Sequence, residues 1–326
     1  MSSPSIAVIG GAGYIGSHAC KELHKQGFTP IVIDDFSTGH ADFVKWGPSI
    51  HCSLHDYDTL CQVFKTHKPS AVMHFAAKID VSESTQNPHK YYYNNVSGTL
   101  TLLKAMIDSH IHTLIFSSTA AVYGNPLESR LSETHPCHPL NPYGKSKYAV
   151  EQIIQDFEKA YGLKSVIFRY FNAAGADPDT EIGEDHSPET HLIPNIFFAA
   201  AGKKELSIYG NDYPTPDGSC IRDYIHVTDL AKAHVSACHY LFDKGDSTIL
   251  NLGHSTGFSV LEILQKAEQI TQKKIPFAIK KRREGDASQL IADNQMVKKI
   301  LHWSPDHSDI DQILSTSWKW FQHRFV

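Results

Sequence analysis

The stretch IAVIGGAGYIGSH, residues 6–18, decides how the rest of the chain is read. Ile6 to Ile9 make a short apolar strand, glycines crowd the turn at 10, 11, 13 and 16, and Tyr14-Ile15-Gly16 open a helix. Glycine lets the backbone approach a ligand closely, and the N–H groups at a helix start meet anionic charge. Two registers fit: GxGxxG through Gly11, Gly13 and Gly16, and GxxGxxG through Gly10, Gly13 and Gly16. Asp34 lies 18 residues beyond Gly16, at the end of the next apolar run. An acid there bonds a ribose diol and repels a 2′-phosphate, so the pair predicts a bound dinucleotide, NAD in preference to NADP. Asp35 reads as a solvated loop residue.

Further apolar runs occur at Ile31–Ile33, Ala71–Phe75, Leu114–Ser117 and Val166–Phe171, with helical patterns near 15–26, 57–67, 89–109 and 143–161 between them. Strands apolar on both sides that alternate with helices mean a parallel sheet covered on both faces. The expected fold class is α/β, a Rossmann-type doubly wound parallel sheet with a smaller C-terminal α/β substrate lobe. Residues 1–172 are expected to form the NAD-binding domain and 173–326 the lobe, with room for chain crossings back. The segment 173–225 is dense in Gly, Pro and Asp and reads as loops. Helices are expected near 228–243, 258–272 and 308–323, with a brief strand at Ile249–Leu252.

Composition removes several function classes. Of 326 residues, 41% are hydrophobic and 20% charged, which fits an ordinary globular protein. The net charge of −5 gives no reason to expect nucleic acid or an anionic membrane surface. Cysteines at 20, 52, 61, 137, 220 and 238 form no CxxC pair, so reduced thiols are expected instead of a disulfide frame. The 21 histidines show no HExxH spacing, and no metal is expected. The first strand begins after five residues, which leaves no space for a signal peptide, and no apolar run reaches membrane-spanning length. A cytoplasmic protein is the expectation.

The stretch LNPYGKSKYAVEQII, residues 140–154, starts a helix with Asn141 as N-cap and Pro142 at the first position. Its apolar stripe, Val150, Ile154 and Phe157, leads back onto Lys147 and then Tyr143. Residues four apart on a helix are neighbours, so a phenol and an ammonium can share one ligand. At about 5 Å and an effective dielectric near 20, the charge is worth roughly 3 kcal/mol, opposed in part by desolvation of both groups, and would bring a tyrosine from about 10 toward about 7 to 8. That suits a general base at neutral pH. The strand TLIFSSTAAVYG adds Thr119 at a sheet C-terminal end, where its hydroxyl can bond the same substrate oxygen as Tyr143.

GGAGYIG, FSSTAAVYG and the Tyr-x-x-x-Lys of YGKSK together resemble the extended short-chain dehydrogenase/reductase family. RYFNAAGADP, HLIPNI, YGNDYPTPDGSCIRDYIHV and REGD resemble the branch that epimerises UDP-sugars at C4. The likeness covers nearly the whole chain. It implies that Tyr143 is the catalytic base, with Lys147 holding the nicotinamide ribose and Thr119 beside the sugar. For the cofactor it implies contacts from Gly10, Gly13, Tyr14, Ile15, Gly16, Asp34, Leu54, Phe75, Ala76, Ala77, Asn94 and Tyr170. For a UDP-sugar it implies Asn172, His191, Leu192 and Tyr209 along the nucleotide and sugar. Arg222 and Arg283 would take the diphosphate, and Asp286 the ribose. It also implies a homodimer through the helices near 89–109 and 143–161.

Several positions depart from that pattern. Ser53-Leu54 stands where many relatives carry an adenine-contacting Asp, and Ile79 where a lysine is common, with Lys78 one step early. Thr119 replaces the commoner serine. Leu290 replaces a tyrosine that closes the sugar pocket in some members, which predicts that UDP-GlcNAc and UDP-GalNAc are accepted besides UDP-glucose and UDP-galactose. Epimerases of UDP-pentoses or UDP-glucuronate use the same chemistry and stay open as alternatives. Dehydratases and decarboxylases are disfavoured, because Ala120-Ala121 stand where they carry acids. A non-catalytic NAD sensor would have no need of Tyr143 with Lys147.

Overall fold

A computed structural model describes residues 3–283 and 286–326. The chain runs β1 (Ser5–Ile9), α1 (Tyr14–Lys25), β2 (Thr29–Asp34), β3 (Ser49–His51), α2 (Tyr57–His67), β4 (Ala71–His74), α3 (Val81–Gln86), α4 (Pro88–Tyr91), α5 (Gly98–Asp108), β5 (Thr113–Thr119), α6 (Pro142–Tyr161) and β6 (Lys164–Tyr170). It continues with β7 (Asn172–Ala174), α7 (Leu192–Ala200), β8 (Leu206–Tyr209), β9 (Ile221–His226), α8 (Val227–Phe242), β10 (Thr248–Leu252), β11 (Gly257–Ser259), α9 (Val260–Thr271), β12 (Phe277–Lys280), β13 (Gln289–Leu290), α10 (Gln295–Leu301) and α11 (Ile310–Phe325).

Seven strands form one parallel sheet in the order β10-β6-β5-β4-β1-β2-β3, so this is the doubly wound α/β sheet that the sequence predicts. Alternate residues of each strand serve opposite cores. Ile6, Val8, Met73 and Ile115 pack with α1, α8 and α10, whereas Ala7, Ile9, Val72 and Leu114 pack with α2, α5 and α6. The strand order reverses between β1 and β4, and the crevice beyond their C-terminal ends is where such sheets take ligands. None of the six cysteines is paired. Among the described residues, no helix is long and apolar enough to cross a membrane.

The later residues build a small sheet around β9, with β11, β13 and β7 on it, plus a β8-β12 pair. α7, α9 and α11 share a separate core there. β10 leaves this region and completes the large sheet beside β6. Two expectations change. The segment read as loops contains α7, whose sequence LIPNIFFAA is apolar except for Asn195 and carries Pro194, so no amphipathic period announces it. The single helix expected near 89–109 is broken by a π-helical turn at Tyr92–Ser97. The wider turn brings Asn95 against the loop after β4. There its side chain accepts from the Lys78 N–H (2.8 Å) and donates to the Lys78 carbonyl (3.0 Å) and to Ser146 (3.1 Å).

Candidate active site

At the switch point the chain is shaped by missing side chains. Gly10 has φ of +78°, and a Cβ there would lie 2.6 Å from the Ala76 nitrogen. A Cβ on Gly16 would lie 2.1 Å from the Gly10 carbonyl, so α1 begins directly on the turn. Gly13 is the N-cap of α1 and no side chain caps it, which leaves the helix start available to a pyrophosphate. The geometry therefore uses the register Gly10, Gly13, Gly16. Phe75 and Ala76 donate to the Ile9 carbonyl and line the other side of the crevice, with Ala77 following.

Asp34 ends β2 as expected, but it also ties the glycine turn. Its carboxylate accepts from the Ala12 N–H and the Phe36 N–H, both at 2.9 Å. Burial raises its pKa while these two N–H groups pull it down. Asp35 is exposed and accepts from the Ser37 N–H. Lys78, one step early in sequence, reaches back to Ser37 with Nζ 3.4 Å from its hydroxyl, next to the turn that follows β2. Tyr14 spends its hydroxyl on the Gly175 carbonyl at 2.6 Å, leaving its backbone and not its phenol for a ligand. Ile15 and Leu54 pack into the two sheet-face cores, and Leu54 sits against Gly98. Asn94 donates to Asn95 at 3.0 Å inside the π-helical turn.

The start of α6 comes next to the end of β5. Asn141 caps the helix by accepting from the Gly144 N–H at 2.9 Å, and a Cβ on Gly144 would lie 2.7 Å from the Ala121 carbonyl. That close approach sets Tyr143 beside Thr119, whose register partner on β6 is Tyr170. Lys147 is buried, donates to the Ser117 carbonyl at 2.8 Å, and lies 4.9 Å from the Phe116 ring centre. Burial draws its pKa down to about 7, opposed by Glu151. The expectation that Lys147 would make Tyr143 more acidic is not met in this arrangement. Burial raises the phenol, the Thr119 hydroxyl works against that, and the ammonium is directed at Ser117.

Sequence reading missed the buried support beneath this pair. Glu151, one turn after Lys147, accepts from the Ser118 hydroxyl and from Arg169, whose Nε and Nη2 lie 3.1 and 2.7 Å from it. Arg169 also donates to Tyr123 at 3.2 Å, and Tyr123 donates to Asn251 at 2.6 Å. The available signal was a Glu on the buried stripe of a helix, a place where a charge needs a partner.

A second group gathers around β9. Arg222 on β9 is in register with Leu290 on β13, and its Nη2 lies 3.5 Å from Asp286. Asn172 on β7 donates to the Asp223 carbonyl at 2.9 Å. Arg283 stacks on Tyr209, 4.0 Å from guanidinium to ring centre, and Glu284 and Gly285 of the same motif lie outside the described residues. Leu290 also packs against the apolar cluster that includes Ala120 and Phe171, which links this group to the chain after β5. His191 and Leu192 stand apart at the start of α7, and His191 is bonded to Glu184.

A glycine cradle at the switch point, an acid ending β2 and a Tyr/Lys helix against β5 define a dinucleotide-binding α/β protein. The NAD dependent epimerase/dehydratase family matches residues 6–253, and the chain belongs to that family. It is 48% identical to a UDP-glucose 4-epimerase of Rhizobium leguminosarum bv. trifolii, over 98% of each chain. The crystal structure of UDP-glucose 4-epimerase from Brucella ovis in complex with NAD superposes with a TM-score of 0.96, at 45% identity and 98% coverage of both chains. The enzyme from Bifidobacterium longum, in complex with NAD+ and UDP, gives 0.94 at 37% identity and the same coverage.

Proposed function

We propose that this chain interconverts UDP-galactose and UDP-glucose, with NAD as its bound cofactor. Gly10, Gly13 and Gly16 give the pyrophosphate close access to the start of α1, and Asp34 offers its remaining lone pairs to the adenosine ribose. Lys147 holds the nicotinamide ribose, with Tyr170 nearby. NAD held in this way accepts the C4 hydrogen of the sugar as hydride and later returns it. Tyr143 takes the C4 hydroxyl proton and gives it back, and Thr119 steadies the same oxygen. A pyridinium charge near Tyr143 would lower its pKa from the raised value that burial imposes.

Arg222 and Arg283 offer guanidinium forks to the diphosphate, while Asn172, Leu192, Tyr209 and Asp286 complete the nucleotide and sugar contacts; the His191 imidazole is turned to Glu184 instead. A firm hold on UDP lets the 4-keto sugar turn over and meet the hydride on its other face. What supports this reading most is Tyr143 next to Thr119 at a helix start packed on the β5 turn. Purified chain given UDP-galactose without added cofactor should form UDP-glucose. Loss of water or carbon dioxide from the product would point to the dehydratase or decarboxylase chemistry, and no turnover even with NAD+ would end the proposal.

A wider sugar range is the second reading, favoured by Leu290 in register with Arg222 where some relatives carry a tyrosine. UDP-GlcNAc should be turned over alongside UDP-glucose, and no detectable N-acetyl activity would remove it. We also place the enzyme in the cytoplasm as a homodimer. Tyr93, Leu100 and Tyr161 expose apolar surface on the helices expected to pair. Sedimentation should give twice the chain mass.

A further inference from the structure

Ahead of α7 the chain gathers Glu184, His186, Glu189 and His191, and one potential ligand atom from each lies within 4.8 Å of the others. His186 Nδ1 is 3.3 Å from Glu184 Oε1 and 3.7 Å from Glu189 Oε2. His191 Nδ1 is 3.8 Å from Glu189 Oε1 and also bonds Glu184. Ligands at about 2.0–2.1 Å from a tetrahedral zinc stand roughly 3.3 Å apart, so the spacings of 3.3, 3.7 and 3.8 Å lie near such a shell, while His191 and Glu184, now hydrogen-bonded to each other, would have to separate. We propose that the four side chains form a site for one divalent transition-metal ion of the zinc type.

The donor set argues for that class of ion. Two imidazoles with two carboxylates suit zinc, and their two negative charges balance it, whereas calcium and magnesium call for oxygen ligands in greater number. His186, with its side chain 22% exposed, turns Nδ1 toward both carboxylates, 3.3 Å from Glu184 and 3.7 Å from Glu189. Both Glu184 and Glu189 have side chains only 7% exposed. Glu189 is pre-set: its Oε1 accepts from the Thr190 and His191 N–H groups at 2.8 Å each, which leaves Oε2 for an ion. The Glu184 backbone is anchored by Trp320, which donates to its carbonyl at 2.9 Å.

The nearby trio Asp177, Asp179 and Glu181 is a useful contrast. It surrounds Lys21 Nζ at 2.7, 3.3 and 2.6 Å, so an ammonium already supplies its positive charge. At the 184–191 group the competing arrangement is imidazolium paired with carboxylate. Metal and protons therefore compete for the same atoms. An ion there would brace the segment that leads into Leu192.

The test uses tag-free, full-length protein with its bound dinucleotide, loaded with zinc and then dialysed into metal-free buffer. Elemental analysis should give about one zinc per chain, and His186→Gln should retain essentially none. Cobalt loaded instead should show the visible spectrum of a four-coordinate site without thiolate charge transfer, which separates this site from the six cysteines. If His186→Gln fails to fold, Glu189→Gln replaces it, and the wild-type stoichiometry and cobalt spectrum stand on their own. Wild-type chain that keeps no zinc, zinc kept equally by a folded variant, or thiolate charge-transfer bands would each overturn the proposal.

Discussion

The dinucleotide crevice and the group around β9 are assembled in opposite ways. Gly10, Asp34, Phe75, Thr119 and Tyr170 each end or follow one of the parallel strands β1, β2, β4, β5 and β6, so a single hydrogen-bonded ladder sets their spacing. Asn172, Tyr209, Arg222, Arg283 and Leu290 come from short strands and connecting chain, joined by side-chain bonds and a stacked arginine. A site on sheet ends is fixed before a ligand arrives. One held by an exposed arginine on a tyrosine can adjust to its ligand. The first arrangement suits chemistry, which needs fixed geometry, and the second suits a nucleotide anchor whose sugar must turn over.

This contrast is broken most directly by separating rate from binding. Tyr143→Phe should cut kcat by about 10²–10⁴-fold, the usual contribution of a general base, with UDP binding retained in titration calorimetry. Arg222→Met should do the reverse. Charge-assisted hydrogen bonds contribute about 1.5–3 kcal/mol, so KM for UDP-galactose should rise roughly 10–100-fold while kcat and NAD content change little. If Arg222→Met lowers kcat instead, the β9 group takes part in the chemistry and the division fails.

Stability against pH sharpens the comparison from the crevice side. Folded Lys147 loses its proton near 7, against an ordinary value of 10.5. Between those values the unfolded chain binds more protons, so stability should climb with pH in that window, and the burial cost is felt in full below it. In chain stripped of dinucleotide, Lys147→Met should therefore be more stable than wild type near pH 6, with the difference shrinking toward pH 10 in urea unfolding. A constant difference would mean Lys147 is not held in a low-dielectric site. The smallest effect on UDP-galactose turnover, within a few-fold, is expected for Leu290→Tyr, which should lower UDP-GlcNAc turnover by roughly 10–200-fold, the scale of one hydrophobic pocket contact. Equal loss of both activities would detach Leu290 from sugar choice.

Local signals made the crevice legible. Glycine spacing, an acid ending the next strand and a Tyr/Lys pair one helical turn apart all sit within short windows of sequence. The β9 group is harder to read because β7 has three residues and β13 two, too short for alternation to register, and their pairing spans long stretches of chain. α7 hides for a different reason: its half-buried face is Leu192, Asn195 and Phe198, so a single polar residue marks it and sets no clear period. The Tyr143 expectation erred because burial, allowed for there only as a partial offset, is the largest influence on the phenol, and the Ser117 carbonyl, supplied by another element, takes the ammonium. Likewise, Glu151 and Arg169 look like two ordinary charges until α6 and β6 bring them together.

The central claim is that the C4 hydrogen leaves and returns inside the site, without passing through water. UDP-galactose labelled with deuterium at C4 tests this directly, with the UDP-glucose formed examined by mass spectrometry and NMR. The account predicts that the deuterium stays at C4 of the product. Its replacement by solvent hydrogen would contradict a hydride held by the cofactor and returned to the same sugar.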